Sequence, residues 1–369
     1  MGKTGSNVPF LALTMGDPAG VGPEIITGAW PGLFYSGKAE QPPLSGPRPA
    51  AIPKSRPVVF GHPEIIRRAA ILRGMDIAVA EIDSLNELRR IDYRRHFGPK
   101  KIPCLKTVPD TLLDFAPAEI SRAGGEAAWL SLNRGIDAAL AGDVAAIVTA
   151  PLNKKSLNLA GHHYPGHTEI LAERCGVKNF GMMLFLGPGE NLASRTGLSV
   201  VHVTLHTAMK NVFAQITRKS VLEKIYLLRD FARIMKGSAP KIGVCALNCH
   251  NGENGLFGDE EIRKIAPAVR KAAADGVDVS GPYPSDTLMK AAQEGAYDGI
   301  VAMIHDQGHI AVKLMGMFRA VNVTLGLPII RTSVAHGTAF DRAWRGTATN
   351  AGMFEAVRVA VKMAHAANR

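Results

Sequence analysis

The 369-residue chain contains few cysteines and no long apolar run. Its four cysteines form no CxxC pair, which favours reduced thiols in a cytoplasmic protein. No run reaches the ~18–20 apolar residues that a membrane-spanning helix needs, and the N-terminus lacks the charged-then-apolar pattern of a signal peptide. We therefore expect a cytoplasmic protein without a membrane partner.

Clusters that mix basic and aromatic residues are also absent, although the formal charge is +11 and the pI about 9.6. The basic residues are scattered or lie on helical faces such as 217–236, so we expect no nucleic-acid partner. A spread positive charge attracts small anions, and a solvated surface without a role is the alternative.

The common nucleotide-binding fingerprints are missing as well. The glycine-rich stretch 14–25, TMGDPAGVGPEI, lacks the third glycine of GxGxxG and the GK[ST] of a Walker loop. Pro23 stands where a helix would begin. The loop could line a cleft with its backbone donors, Asp17 and Glu24, or it could be a purely structural turn.

What is present is an alternation of short β-rich runs with longer amphipathic segments, which predicts an α/β protein. Strands are predicted at 9–15, 57–61, 145–149, 181–186, 198–205, 241–247, 297–304 and 320–325, and helices at 22–29, 62–73, 124–141, 210–236, 259–275, 285–295 and 352–367. Several of these strands are apolar almost throughout, as in parallel sheets covered on both faces. Residues 31–56, rich in Pro, Gly, Ser and Lys, are predicted to form a flexible surface insertion.

Three histidines follow predicted strands: His206, His250 and His305. Strand-end residues can converge at one edge of a parallel sheet, and three imidazoles with an open position suit a catalytic divalent metal. A single histidine is more often a hydrogen-bonded turn residue, but three in one context favour a site. His202 is interpreted as a structural or supporting residue. His309 is left out of the site, and Gly308 is expected to permit a turn after His305.

Three further stretches combine polar groups with small residues. In GHTE, Thr168 is predicted to cap a helix, and helix N-termini favour phosphate or carboxylate; simple capping is the alternative. Lys313, Asn322 and Arg331 punctuate an apolar stretch, where they suit an anionic partner or structural ion pairs. The HGTA turn at 336–339 would let a flat ligand approach closely.

Along nearly its whole length the chain resembles the 4-hydroxythreonine-4-phosphate dehydrogenase family of vitamin B6 biosynthesis. The motifs that carry the resemblance are TMGDPAGVGPEI, TAPLNKKSL, GHTE, LNCHNGENGLFGDEE, HDQG, VNVTLGLPIIRTS and HGTAFD. The resemblance implies a two-lobed fold like that of isocitrate and isopropylmalate dehydrogenases, with mostly parallel sheets around a cleft. It also implies a homodimer that shares residues across its interface, with the metal site near that interface. We expect one lobe at 1–145 plus 313–369 and the other at 146–312.

The resemblance also implies roles for individual residues. The metal ligands fall on His206, His250 and His305, and the substrate-binding residues on His167, Thr168, Lys313, Asn322 and Arg331. The NAD or NADP loop, which replaces a Rossmann fingerprint, falls on His336, Gly337, Thr338 and Ala339. Asp306 would support the metal or bind it weakly, and Lys313 could donate a proton. Histidine-only ligation favours Zn²⁺, with Mg²⁺, Mn²⁺ and Co²⁺ left open.

The expected reaction is metal-dependent, NAD(P)-linked oxidation and decarboxylation of a 3-hydroxy-4-phospho four-carbon acid. The sequence departs from the family where NPHAGE reads NCHNGE, with Cys249 in place of proline. The stretches AGHHYPGHTE and HDQGHIAVKLMG look more like a subgroup that acts on D-threonate or D-erythronate 4-phosphate and would yield dihydroxyacetone phosphate. The remaining alternatives are a metal-dependent hydrolase or lyase and a non-catalytic protein that binds phosphorylated acids.

Overall fold

The computed structural model describes residues 8–34, 52–189 and 191–367. The strands are β1 Phe10–Thr14, β2 Arg56–Gly61, β3 Ala78–Ile82, β4 Lys101–Lys106, β5 Ala146–Thr149, β6 Gly181–Leu186, β7 Leu198–His202, β8 Ile242–Cys245, β9 Val279–Tyr283, β10 Gly299–Ala302, β11 Val321–Leu325 and β12 Ile330–Val334. The helices are α1 Gly22–Ala29, α2 Pro63–Leu72, α3 Leu85–Arg89, α4 Tyr93–His96, α5 Arg122–Leu140, α6 Lys154–Leu159, α7 His167–Arg174, α8 Met209–Gln215, α9 Arg218–Lys236, α10 Ala266–Ala274, α11 Ser285–Gln293, α12 His305–Gly316 and α13 Ala351–Ala367. No described helix combines the length and apolar character needed to cross a membrane.

The chain divides into two compact units, Met1–Gly176 with Leu327–Arg369, and Val177–Gly326. Both divisions lie later in the chain than the expected boundaries near residues 145 and 312. The reason is strand pairing: β5 pairs with β1 and β12 of the first unit, whereas β11 pairs with β6 of the second.

In the first unit the strand order is β3-β4-β2-β1-β5-β12, and every neighbouring pair is parallel. All five residues of β1 are buried, which explains its uninterrupted apolar sequence FLALT. Helix α5 packs against β1 and β2, and α13 packs against β5 and β12. Pro23 lies in the first turn of α1, as the sequence predicted.

In the second unit the order is β11-β6-β7-β10-β8-β9. Strands β7, β10, β8 and β9 are parallel to one another, while β6 is antiparallel to both β7 and β11. Helix α9 packs against β7 and β10, and α12 packs against β6, β7 and β10. The prediction of an α/β protein with mostly parallel strands is confirmed.

All eight predicted strands are present, but four others were missed: β3, β4, β9 and β12. Strands β3 and β9 lie at sheet edges with few buried residues, and β12 carries Arg331. The helix predicted at 210–236 is two helices, because the Thr217 hydroxyl accepts the Ser220 backbone N–H and starts α9 there.

Part of the predicted insertion at 31–56 can be assessed. Residues 35–51 lie outside the described residues. At its start, Pro31–Phe34 form a 3₁₀ helix with Leu33 buried, and at its end Arg56 begins β2. The packed ends therefore do not fit a flexible loop over the whole of 31–56.

Candidate active-site residues

The three candidate metal ligands all belong to the second unit and follow strands that are neighbours in its sheet. His206 follows β7, His305 directly follows the turn after β10, and His250 follows β8. Because β10 pairs in parallel with both β7 and β8, the three carboxyl ends lie at one edge. The strand order therefore brings the three segments that carry these histidines to one edge of the sheet.

Backbone hydrogen bonds beyond the strands bring two of these segments together. The N–H of Val203 donates to Ala302 O (2.9 Å), and Thr204 donates to Met303 O through both its N–H (3.1 Å) and its hydroxyl (2.8 Å). The His206 and His305 rings consequently lie 5.9 Å apart, centroid to centroid.

Gln307 connects the ends of β10 and β8. Its side-chain oxygen accepts the backbone N–H of Met303 (2.9 Å) and of Ile304 (3.3 Å), which caps the start of α12. Its side-chain N–H donates to Ala246 O (2.9 Å), directly after β8. One amide side chain therefore holds the first turn of α12 beside the segment that leads to His250. Sequence reasoning missed Gln307, although a Gln at the third position of a helix is a typical capping signal.

His250 lies in a turn with an unusual backbone. Within Cys249–Gly255, His250 (φ 51°), Asn251 (φ 58°), Glu253 (φ 44°) and Asn254 (φ 56°) are all left-handed. Such angles cost L-residues about 1–2 kcal/mol each, with Asn the most tolerant. A run of them persists only where the surroundings hold it, and strain of this kind concentrates at functional sites.

Glu261 is the group that holds this turn at its start. Its side chain is buried, and one oxygen accepts the backbone N–H of both Leu247 (2.8 Å) and Asn248 (2.7 Å). The other oxygen accepts the side-chain amide of Asn248 (3.0 Å). The exposed ring of His250 is therefore presented by a strained turn with a buried carboxylate as its anchor.

His305 carries the hydrogen-bond pattern of a metal-bound imidazole. Its Nδ1 lies 2.7 Å from Asp306 Oδ1, and this bond holds the pKa of the Asp306 carboxyl below its usual range. A carboxylate on Nδ1 fixes the tautomer of the imidazole and leaves Nε2 with a free lone pair. Over the part of the chain that the structure describes, no three His, Cys, Asp or Glu side chains are already placed to hold one metal ion.

His309, which the sequence interpretation left out, lies in the same cluster. Its ring stacks on His305 at 3.7 Å with an interplanar angle of 12°, and its Nδ1 lies 3.2 Å from Nε2 of the buried His202. The turn expected at Gly308 is wrong: residues 305–316 are the helix α12, and Gly308 is buried inside it. The spacing of four residues between His305 and His309 was the signal that could have identified the pair.

Lys313 and Asn322 are also in the second unit. Lys313 lies on α12, eight residues beyond His305. Burial is the main cause of the lowered pKa of His309, followed by the neighbouring His305 and then by the charge of Lys313. Asn322 is in β11, and its side-chain oxygen is buried without a hydrogen-bond partner. A buried acceptor without a hydrogen-bond partner costs free energy, so a ligand that donates a hydrogen bond to it would be stabilised there.

The first unit buries a guanidinium group. Arg331 in β12 is 2% exposed, and its Nε and Nη2 donate to the hydroxyl of Thr149 at 3.2 and 2.7 Å. Burial lowers the pKa of Arg331 to about 9, so the group is still charged at neutral pH. A buried cation of this kind fits an anionic ligand.

His167 and Thr168 begin α7 in the same unit. The pKa of His167 is held well below its ordinary value by burial and then by the charge of Arg331, so its imidazole is neutral at neutral pH. The expectation that Thr168 caps α7 is wrong. The N-cap is Gly166, whose extended backbone offers no side chain, and Thr168 is the second residue of the helix.

The HGTA turn packs on the glycine-rich stretch near the N-terminus. The N–H of Val21 donates to Thr338 O (3.0 Å), and an added Cβ at Gly20 would lie 2.9 Å from the Thr338 Cβ. Ala339 is left-handed (φ 45°), and a Cβ at Gly337 would meet no atom within 4 Å. Residues 336–339 therefore leave open space on the side of Gly337.

Glu24 ties the segment after this turn to α1. Fully buried, it accepts the backbone N–H of Trp344 (2.5 Å) and of Gly346 (2.8 Å). The indole N–H of Trp344 donates to Pro18 O (2.8 Å). Glu24 thus acts structurally, which decides between the alternatives left open for this residue.

Comparison with known proteins identifies relatives over almost the full length. The profile of the family described as pyridoxal phosphate biosynthetic protein PdxA matches residues 53–360. The chain is 39% identical to D-threonate 4-phosphate dehydrogenase of Salmonella typhimurium, covering 96% of this chain and 98% of the relative. It is also 39% identical to 4-hydroxythreonine-4-phosphate dehydrogenase of Trichlorobacter lovleyi, with the same coverage. The crystal structure of 4-hydroxythreonine-4-phosphate dehydrogenase from Klebsiella pneumoniae matches with a TM-score of 0.77 at 39% identity, covering 96% of this chain and 99% of that one.

Proposed function

The chain is a member of the PdxA family of pyridoxal phosphate biosynthetic proteins, an enzyme whose relatives are named dehydrogenases, and on that premise we propose a specific reaction. It is the metal-dependent, NAD(P)-linked oxidation and decarboxylation of a four-carbon 3-hydroxy acid phosphorylated at C4. The observation that carries the proposal is the set of three histidines that follow the neighbouring parallel strands β7, β10 and β8.

His206, His250 and His305 are the proposed metal ligands. Three neutral imidazoles with an open position are the donor set of catalytic Zn²⁺, and the Asp306 carboxylate on His305 Nδ1 adds the support that metal-bound histidines normally have. A divalent metal held there would lower the pKa of the substrate's C3 hydroxyl and polarise the carbonyl formed from it.

Several described residues carry groups that suit the anionic ends of such a substrate. Arg331 in the first unit is buried and charged. His167, which is neutral, and Thr168 can offer hydrogen bonds to the substrate without repelling the Arg331 cation. In the second unit Lys313 supplies a flexible cation, and Asn322 has an unsatisfied acceptor for a substrate hydroxyl or ammonium group.

The nicotinamide cofactor that a dehydrogenase of this family implies is assigned to residues 336–339. The open space beside Gly337 and the left-handed backbone at Ala339 suit close approach of a flat ring. When bound, the cofactor would supply the oxidation by taking the hydride of C3, while the proton of the C3 hydroxyl would pass to solvent. The resulting 3-keto acid loses its C1 carboxylate as CO₂, the electron pair stays at C2, and Lys313 returns a proton to C2.

The two named relatives differ in the C2 substituent of their substrates, a hydroxyl in one and an amino group in the other, and both are 39% identical to this chain. The deciding experiment measures absorbance at 340 nm with D-threonate, D-erythronate and 4-hydroxythreonine phosphates. Each substrate is tested with NAD⁺ and NADP⁺, in metal-free buffer and after addition of Zn²⁺, Mg²⁺, Mn²⁺ or Co²⁺. We expect turnover that is lost with EDTA and restored by metal.

The matched variants for this assay are His250→Ala and His163→Ala, since His163 is an exposed histidine outside the proposed ligand set. The first should abolish turnover and the second should not. Phosphate release without nucleotide would instead indicate a hydrolase, and binding of all three acids without any turnover would indicate a binding protein.

We also propose that the protein is a homodimer. Among the described residues, most exposed large hydrophobic side chains lie in the second unit, including Leu256, Phe257, Leu314 and Phe318. A surface enriched in exposed apolar side chains is typical of subunit interfaces. Leu256→Glu should lower the mass measured by analytical ultracentrifugation to that of a monomer. Ile71→Glu, in the first unit at 70% exposure against 72% for Leu256, should leave the mass unchanged.

A further inference from the structure

His305 and His309 lie one above the other on α12. The spacing of four residues places both side chains on one face of the helix, and the rings stack at 3.7 Å with only 12° between their planes. Nothing in the proposed reaction uses His309, so the close stack requires its own explanation.

His202 determines which nitrogen of His309 carries the proton. His202 is fully buried, and its Nδ1 lies 3.3 Å from Met182 O, so Nδ1 must donate and Nε2 is left as an acceptor. His309 Nδ1 faces that Nε2 at 3.2 Å and also His305 O at 3.2 Å, and both are acceptors. His309 therefore carries its proton on Nδ1. Burial and the neighbouring imidazoles lower the pKa of His202 to about 3, which agrees with a neutral ring.

Gly308 makes this arrangement possible. A Cβ at Gly308 would collide with Nε2 of His202 and would lie 2.8 Å from Cγ1 of Val200. The absence of a side chain lets α12 approach β7 closely enough for His202 to reach His309. The hydrogen bond from His309 is thus anchored in a strand rather than in the helix that carries His305.

The stacked geometry argues against His309 as a further ligand of the same metal. Imidazole lone pairs lie in the ring plane, so the lone pairs of two stacked rings with centroids 3.7 Å apart lie in two separate, nearly parallel planes. Two ligands of one tetrahedral ion need lone pairs that converge on a point ~2.0–2.1 Å from each nitrogen. His309 instead lies flat against one face of His305, while Asp306 binds the edge.

We propose that His309, held by His202, is a positioning residue that fixes the ring plane of His305 for metal binding. The inference rests on the proposed function, since it takes His305 as a metal ligand. The one hydrogen bond between Asp306 and Nδ1 still allows the His305 ring to turn about that hydrogen bond. The His309 ring, stacked on the face of His305, opposes this rotation. Outer partners of this type are typically worth 10–100-fold in metal affinity or activity.

The test compares metal binding by variants of the cluster. Zn²⁺ affinity is measured by competition with a chromophoric chelator, and the Co²⁺ form is examined by its visible d–d absorption, which reports ligand geometry. The variants are His309→Leu, which removes ring and hydrogen bond, and His309→Phe, which keeps a ring for stacking. His305→Ala and His163→Ala are the positive and negative controls.

We expect His309→Leu to weaken Zn²⁺ binding by about 10–100-fold and to alter the Co²⁺ spectrum, with His309→Phe intermediate. Thermal unfolding in EDTA checks that the variants fold, and if the Leu variant does not, the Phe variant decides. Wild-type affinity and spectrum in a folded His309 variant, with affinity lost in His305→Ala, would overturn the inference and leave the proposed function standing. Wild-type affinity in His305→Ala would overturn both.

Discussion

Glu261→Ala should release the turn that presents His250. Glu261 is 3% exposed, and one of its oxygens accepts the backbone N–H groups of Leu247 and Asn248 at 2.8 and 2.7 Å. A hydrogen bond to a charged group contributes about 1.5–3 kcal/mol, so two such bonds amount to roughly 3–6 kcal/mol. The methyl group of alanine leaves both N–H groups without an acceptor.

The net loss should be smaller than this sum, because the turn itself is strained. His250 and Glu253 are left-handed without being Asn or Gly, at about 1–2 kcal/mol each, and that strain is released when the turn relaxes. We therefore expect the free energy of unfolding to fall by about 3 kcal/mol, in urea with EDTA present. Hydrogen exchange should show the clearer effect, with protection lost in 246–256 and retained in β8 and β10.

The neighbouring Glu260 provides the matched control. Among the described residues, the Glu260 carboxylate accepts a side-chain hydrogen bond only from the amide of Asn248 (2.9 Å), so Glu260→Ala should cost less than about 1 kcal/mol. Glu261→Gln keeps an acceptor oxygen without the charge and should be intermediate. Equal exchange protection of 246–256 in the two alanine variants would refute the assignment of Glu261 as the anchor.

Three other outcomes are expected. Burial raises the pKa of Asp17 from 3.8 to about 6, so the folded state binds this proton more tightly than the unfolded state and stability falls as pH rises between about 4 and 6. Asp17→Asn should accordingly gain up to about 3 kcal/mol at pH 8 and little at pH 4 in urea unfolding. Arg331→Lys keeps a charge but loses the fork on Thr149, and the KM for substrate should rise about 10–100-fold. Gly337→Val enters open space, so stability should hold while the KM for NAD(P)⁺ rises roughly tenfold or more.

Each of these outcomes has a clear contrary result. An equal gain for Asp17→Asn at both pH values would mean that its carboxyl does not titrate differently in the folded state. An unchanged substrate KM in Arg331→Lys would remove Arg331 from the anion contacts. A destabilised Gly337→Val with an unchanged cofactor KM would show that the space beside Gly337 is not where the cofactor binds.

The positions of His206, His250 and His305 could be predicted from the sequence because they depend on a local pattern. Each follows a short apolar run, and such runs become buried parallel strands whose ends share an edge. Their roles as ligands stay predictions, because a strand end places a side chain at an edge without fixing the direction of its ring.

The backbone conformation around these residues could not be predicted from the sequence in the same way. The sequence HDQGH contains a glycine and favours a turn, yet it begins α12 because Gln307 caps the helix and Gly308 packs on β7. The left-handed turn at Cys249–Gly255 depends on Glu261, which approaches it from the next helical segment. The Gln307 cap is local, but the packing of Gly308 on β7 and the Glu261 contacts join separate parts of the chain, and local propensity does not predict them.

Ring orientation also depends on non-local contacts, and it separates His309 from the histidines that are proposed to bind metal. From the sequence, His305 was named as a ligand and His309 was left out of the site, but no structural reason for the difference was available. The structure supplies one, because His202 fixes the proton of His309 and the two rings are nearly parallel. Histidine content near a sheet edge is therefore a poor guide to ligand number in this fold. The hydrogen-bond partner of each Nδ1 is a carboxylate for His305 and an imidazole of a buried strand for His309. This difference is the basis for proposing His305 as a metal ligand and His309 as its support.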